Sequence, residues 1–290
     1  MEQREIVQQM QEQYTLSQRR VCQALGFDRA SVRYQHSQAK QERDQALSER
    51  LRRLAQEHPR FGYRRMGALL RRQSQSQDQC TNHNHKRVQR LWQAAGLSLP
   101  RQRPKKRRTP PQSPLAQPPT RPNQMWCYDF VHDRCANGAV LKMLTIEDEF
   151  TRESLAVEVG GSLPAARVIA VLARLFLERG VPEGIRSDNG PEFVAQVVKD
   201  WLAEKGVQTH YIEPGSPWQN GIAESFNGKL RDECLSREWF KNRLEAAAVV
   251  ARYRRYYNEE RPHSSLGYQT PVEFRQAYDA AQAASHNVQD

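Results

Sequence analysis

From Met125 onward the chain alternates short strand-like runs with helical ones, and this order constrains the fold more than any other feature. Runs rich in β-branched and aromatic residues cover 125–131, 139–147 and 151–159, three adjacent strands that read as a meander. The stretch 164–179 sets Val168, Val171, Leu172, Leu175 and Phe176 at helical spacing, and Gly180 and Pro182 end it. A strand follows at 184–187, then a helix from about 191 to 206, a strand at 207–212, a turn at 213–217, and helices at 220–236 and 243–258. The predicted order is βββαβαβαα.

The front of the chain has a different character. Residues 1–124 hold 25 Lys and Arg against 9 Asp and Glu, whereas the remainder holds 19 against 24, so the net charge of +11 is concentrated where a polyanion would bind. In 1–38, Ser17 is placed to cap a helix carrying Val21, Ala24 and Leu25, Gly26 breaks it, and Asp28 is placed to cap a second helix. That is a helix-turn-helix pattern in which Arg29, Ser31 and Arg33 face a DNA groove, although a plain helical hairpin with a basic solvated face has the same pattern. A second helical section, 39–97, spaces Leu47, Leu51 and Leu54, then Met66, Leu69 and Leu70, around a turn at 59–63, and closes with a helix over 84–95. Its candidate DNA contacts are Arg64, Arg65, Lys86, Arg87 and Arg90; the alternative is that these residues solvate an outer face. Residues 98–124, proline-rich and nearly free of large apolar side chains, read as a linker whose block Lys105, Lys106, Arg107 and Arg108 either follows DNA phosphates or is merely charged.

Five scattered cysteines without a CxxC pair argue against a disulfide framework and for a reducing cytosol. Cys80, His83 and His85 lack a second ligand pair at zinc-finger spacing. No run of 18 apolar residues and no signal-peptide core is present, so a soluble, cytoplasmic protein is expected.

Three carboxylates stand out against this background. Asp129 lies in a strand, Asp188 at the end of the strand 184–187, and Glu224 in the helix after the 213–217 turn. Thirty-five residues separate the last two, a spacing that carries little by itself among 33 acidic residues. The surroundings carry more: Asn189-Gly190 makes a tight turn at a strand's carboxyl end, and Glu224, Asn227 and Arg231 fall on one helix face. Three acids on three elements suit hard divalent cations. Nearby, Glu147 and Asp148 close a strand and read as solvated, Glu192 either contacts a metal or opens a helix, and Gln219 and Asn220 are placed to cap the Glu224 helix. His132 and His263 have no visible partner and receive no catalytic role.

Ile185-Arg-Ser-Asp-Asn-Gly-Pro-Glu-Phe193, Pro214-Gly-Ser-Pro-Trp-Gln-Asn-Gly-Ile-Ala-Glu224 through Arg231, and Tyr256-Tyr-Asn-Glu-Glu-Arg-Pro-His-Ser-Ser-Leu-Gly-Tyr-Gln-Thr-Pro271 occur in the order found in one family. The chain resembles the integrase-type (DDE) transposases of bacterial insertion sequences, second-frame proteins of the family numbered three, related to retroviral integrase. The resemblance implies an α/β, ribonuclease H-like core over 125–278, a mixed five-stranded sheet with flanking helices, preceded by all-α helix-turn-helix domains and followed by a tail at 279–290. It implies that Asp129, Asp188 and Glu224 are catalytic and hold Mg²⁺ or Mn²⁺, two ions in all, while Asn220, Asn227, Lys229 and Arg231 lie along DNA. Water would be the nucleophile for cleavage, and a freed 3′-hydroxyl for strand transfer. Implied partners are double-stranded DNA (terminal repeats and target), further copies of the chain in a synaptic complex and an upstream-frame fusion segment, with no membrane and a place at the nucleoid. Trp218 is larger than the residue retroviral integrases place in that turn. Two other readings remain: a ribonuclease H-like hydrolase that cuts without joining, and a DNA-binding accessory protein with an inactive core.

Overall fold

The structure, a computed structural model, describes residues 3–33, 38–75, 83–100, 118–188, 190, 195–213 and 217–286. The chain divides into two compact units, one of residues 1–59 with 84–98 and one of residues 60–83 with 99–290.

The first unit is helical. Helices α1 (Gln3–Tyr14), α2 (Gln18–Leu25) and α3 (Arg29–Arg33) enclose a small core of Val7, Val21, Cys22 and Val32. Gly26 ends α2 in the left-handed conformation at φ 66°, a turn that a side chain would strain. Asp28 caps α3 as expected, accepting from the N–H groups of Ala30 and Ser31, whereas Ser17 precedes α2 without a side-chain cap bond. Helix α4 (Gln38–Glu57) buries Leu47, Leu51 and Leu54, and α6 (His85–Ala94) buries Val88, Leu91 and Trp92.

In the second unit α5 (Tyr63–Gln75) precedes a five-stranded sheet of order β3-β2-β1-β4-β5. Strands β1 (Met125–Arg134), β2 (Val140–Asp148) and β3 (Ser154–Gly160) form the antiparallel meander, and β4 (Gly184–Ser187) and β5 (Gln208–Tyr211) run parallel to β1. The mixed sheet with helices on both faces is the ribonuclease H-like architecture. Side chains alternate across β1. Trp126 and Tyr128 enter a core with Val168, Leu172 and Leu175 of α7 (Ala165–Arg179) and Val198 and Leu202 of α8 (Gln196–Glu204). Val131 faces the other way, into a core with Phe226 and Leu230 of α9 (Gly221–Glu233) and Val250, Tyr253 and Tyr257 of α10 (Arg243–Glu259). Each such side chain removed from water stabilises the fold by roughly 1.5–3 kcal/mol. A last helix, α11 (Pro271–His286), carries regular structure into residues 279–286.

Candidate active site

Two residues before Val131 on the same face of β1, Asp129 points toward α9. The parallel register pairs Cys127 with Arg186, and continuing it by two residues on each strand sets Asp188, just past β4, beside Asp129. Glu224 lies in the first turn of α9, exposed. Asp129 Oδ1 accepts from the N–H of Phe130 at 2.7 Å, and Oδ2 accepts from Asn227 Nδ2 at 2.8 Å. Thr145 of β2, directly across from Asp129, points its hydroxyl at Asn227 Oδ1 (3.0 Å) and at the Asp129 carbonyl (3.2 Å). Asp188 Oδ1 accepts from the Gly190 N–H at 2.9 Å.

Burial pushes the Asp129 carboxyl above its ordinary range, and the like charges of Asp188 and Glu224 push it the same way, against the bonds from Phe130 and Asn227. Asp188 and Glu224 thus each act on Asp129 through their negative charge. Among the described residues, no three Asp, Glu, His or Cys side chains are gathered closely enough to hold an ion as they stand. Hard oxygen donors carrying negative charge are what Mg²⁺ or Mn²⁺ prefers. The donor set fits such ions.

Arg186 steadies the approach to α9, bonding Glu149 (Nη1 to Oε1, 3.0 Å) and the Gln219 carbonyl (3.3 Å). Gln219 in turn accepts from the Glu213 N–H, while Asn220 is buried, precedes α9 without a cap bond and has an Oδ1 with no hydrogen-bond partner. Arg231 is exposed and makes no ion pair among the described residues; its acidic neighbours are engaged elsewhere, Asp232 with Arg60 and Glu233 with Arg261. Lys229 turns back on its own helix, donating to the Ser225 carbonyl at 3.0 Å.

Other candidate contacts are more occupied than the sequence indicates. Ser31 bonds Asp28, Arg33 bonds Gln18 and Arg29 is half-buried. Arg87 and Arg90, on one face of α6, both pair with Asp44 (2.7 and 2.6 Å), while Lys86 and Arg64 are exposed. Arg65 turns inward to Glu233 at 3.8 Å and over the Phe61 ring. Lys105, Lys106, Arg107 and Arg108 lie outside the described residues, as do Cys80, Asn189 and Glu192.

The expectation of solvated Glu147 and Asp148 is wrong, since both are buried. Asp148 is a structural acceptor for the N–H groups of Asn123, Phe150 and Thr151, which closes the β2–β3 turn. Sequence reasoning also missed Thr145, Arg186 with Glu149, and the Arg261–Glu233 pair. Only Thr145 leaves a trace in the sequence, as the residue a correct β1–β2 register puts opposite Asp129.

A ribonuclease H-like sheet with carboxylates on β1, after β4 and on the following helix defines the class of polynucleotidyl transferases built on an integrase core. The Integrase core domain family matches residues 119–217 and again 205–271, and the HTH-like domain family matches 42–106. The 39.2 kDa protein of insertion element IS476 from Xanthomonas euvesicatoria is 41% identical over 97% of this chain and 78% of its own length. The Transposase InsD for insertion element IS2A/D/F/H/I/K from Escherichia coli is 32% identical over 75% of this chain and 74% of its own. The HTLV-2 integrase catalytic core domain in complex with magnesium aligns over 53% of this chain and 97% of its own with a TM-score of 0.43 at 16% identity. The chain belongs to the integrase-core transposases of insertion elements. No helix among its described residues is long and apolar enough to cross a membrane.

Proposed function

We propose that the chain binds the terminal repeats of its insertion element and catalyses divalent-metal-dependent DNA cleavage and strand transfer, with Asp129, Asp188 and Glu224 as the catalytic, metal-holding set. The observation that carries this is an Asp129 carboxylate clamped by Asn227 of the helix that bears Glu224, with Asp188 beside it in the parallel register. Each Asp129 oxygen accepts one hydrogen bond and keeps lone-pair capacity for a cation. Two bound Mg²⁺ or Mn²⁺ ions would supply charge neutralisation on the attacking and leaving oxygens of an in-line phosphoryl displacement.

The protein's own share is positioning. Asn227 and Thr145 fix the Asp129 carboxyl, the Gly190 N–H fixes that of Asp188, and Arg186 anchors the turn that leads to Glu224. Arg231, seven residues after Glu224 and without an ion pair among the described residues, would hold a DNA phosphate alongside. Residues 1–59 with 84–98 serve as the DNA-binding unit, with Lys86 an exposed basic contact, while α5 with the exposed Arg64 belongs to the unit that holds the core. Two element ends must meet, so the working form contains further copies of the chain. A fusion with an upstream frame belongs to the same reading.

Incubating the protein with labelled terminal-repeat DNA and Mg²⁺ tests the proposal. Joined product supports it, cleaved but unjoined product would assign a hydrolase, and unchanged DNA would assign an accessory binder.

A further inference from the structure

On the flank of α9 next to the face that carries Glu224 and Asn227 lies a second polar cavity of about 350 Å³. Its floor is the flank of α9 from Gly221 to Lys229, with Ser225 and Lys229 one helical turn apart, and its walls come from the β2–β3 turn, α5 and the segment after α10. Four cations line it, namely Arg65, Arg152, Lys229 and Arg261. Against them stand few anions. Glu233, outside the lining, is gripped by Arg261 through Nε and Nη2 at 2.6 and 2.5 Å and approached by Arg65. Glu147 is the one acid among the lining residues, buried with an Oε1 that bonds to nothing. Burial pushes its carboxyl above the usual range, against the charges of Lys229 and Arg152.

The donors are also left over. Arg261 is 1% exposed, and its Nη1 is buried with no hydrogen-bond partner, as is Nε of Arg65. Lys229 makes no ion pair among the described residues, and burial, then the charge of Arg261, holds its ammonium down to about 8 against the pull of Glu147 and Glu233. Water can satisfy an orphan N–H, but it cannot offset surplus buried positive charge, which costs several kcal/mol without a counter-ion. Ser264 and Ser265 stand exposed at the mouth of the same cavity.

We propose that this cavity is a phosphate site, distinct from the three-carboxylate set on the adjacent face of α9, and that in the working complex a backbone phosphate of the bound DNA fills it. Assigning the phosphate to DNA rests on the function proposed above; phosphate binding itself does not.

The test uses the full chain and inorganic phosphate. Thermal melts in phosphate and in chloride at matched ionic strength should show a saturable rise in Tm with phosphate that is lost in Lys229→Met and in Ser265→Glu, whose carboxylate occupies the mouth. Ser265 is exposed, so this variant decides the matter if Lys229→Met folds poorly. A second arm measures the salt dependence of binding to terminal-repeat duplex: loss of one neutralised phosphate lowers the slope of log K against log[salt] by ~0.9. A shallower slope in Ser265→Glu together with a lost phosphate effect assigns the site to DNA. A lost phosphate effect with an unchanged slope keeps the site but makes free phosphate or a nucleotide its ligand, overturning the DNA assignment. No saturable effect on the wild type, or the same effect in both variants, overturns the phosphate site. Neither arm requires strand transfer, so a chain that binds phosphate yet joins no DNA would refute the proposed function alone.

Discussion

Asn227 of α9 donates to Asp129 of β1 at 2.8 Å while its own carbonyl oxygen receives the hydroxyl of Thr145 on β2 at 3.0 Å. One amide thus ties the helix that carries Glu224 to the strand that carries Asp129, and its orientation is set by the threonine behind it. Removing such an outer partner of a metal-holding carboxylate typically costs 10–100-fold in metal affinity or activity. Asn227→Ala is expected to lower strand transfer by about that factor. Asn227→Asp should be worse, since it sets another carboxylate against Asp129. Both should leave binding to terminal-repeat DNA close to wild type in a mobility-shift assay, and a variant that transfers strands at the wild-type rate would remove Asn227 from the site.

Asp188 offers the sharpest test of the chemistry itself. Asp188→Asn keeps the shape and the acceptor for the Gly190 N–H but deletes the charge. Strand transfer and cleavage should both disappear while end binding persists. Retained joining activity in the purified variant would sink the assignment of the three carboxylates.

Glu233 governs stability rather than chemistry. It holds Arg261, which is almost wholly buried, through two short hydrogen bonds, and Arg65 shares it. Glu233→Gln strands a buried guanidinium, a change that costs about 3–5 kcal/mol. Urea unfolding should show that loss, with a partial recovery when Arg261→Met is added, because the double change removes both charges. A midpoint equal to wild type would mean that the pair is solvated.

The order of strands and helices was legible because the apolar period switches visibly between two and 3.6. Asp188 and Glu224 stood out because one follows a strand and the other lies on a helix face, whereas Asp129, in mid-strand, was singled out by the resemblance. Partnerships across the fold were not. Arg65 reads in sequence as one more basic helix residue, and only tertiary contact with Glu233, far along the chain, turns it inward. Arg87 and Arg90 were correctly placed on one face of their helix, yet that face meets Asp44 of α4. Glu147 and Asp148 read as solvated because acids beside turns usually are. Here the Asp148 carboxylate is what closes the turn, a local hydrogen-bonding role that leaves no periodic signature.

His263, given no catalytic role by sequence, makes the stability depend on pH. It is buried, with Nε2 at 3.1 Å from the Tyr257 carbonyl and its ring edge-on to that of Tyr257. Burial, and then the charges of Arg261, Lys229 and Arg65, lower its pKa to about 3, against a bond to Tyr257 that acts the other way. The unfolded chain takes up this proton near pH ~6.5, whereas the folded chain refuses it until about 3. A depressed folded pKa means that the unfolded state binds more protons across that window, so stability is intact above about 6.5 and falls as the pH drops toward 3, by at most ~1.4 kcal/mol per pH unit. His263→Gln keeps a donor for the Tyr257 carbonyl but cannot titrate. It should be less stable than wild type at pH 7, and the gap should narrow at pH 5 and again at pH 4 in urea melts. A gap that stays constant with pH would show that His263 does not report on folding.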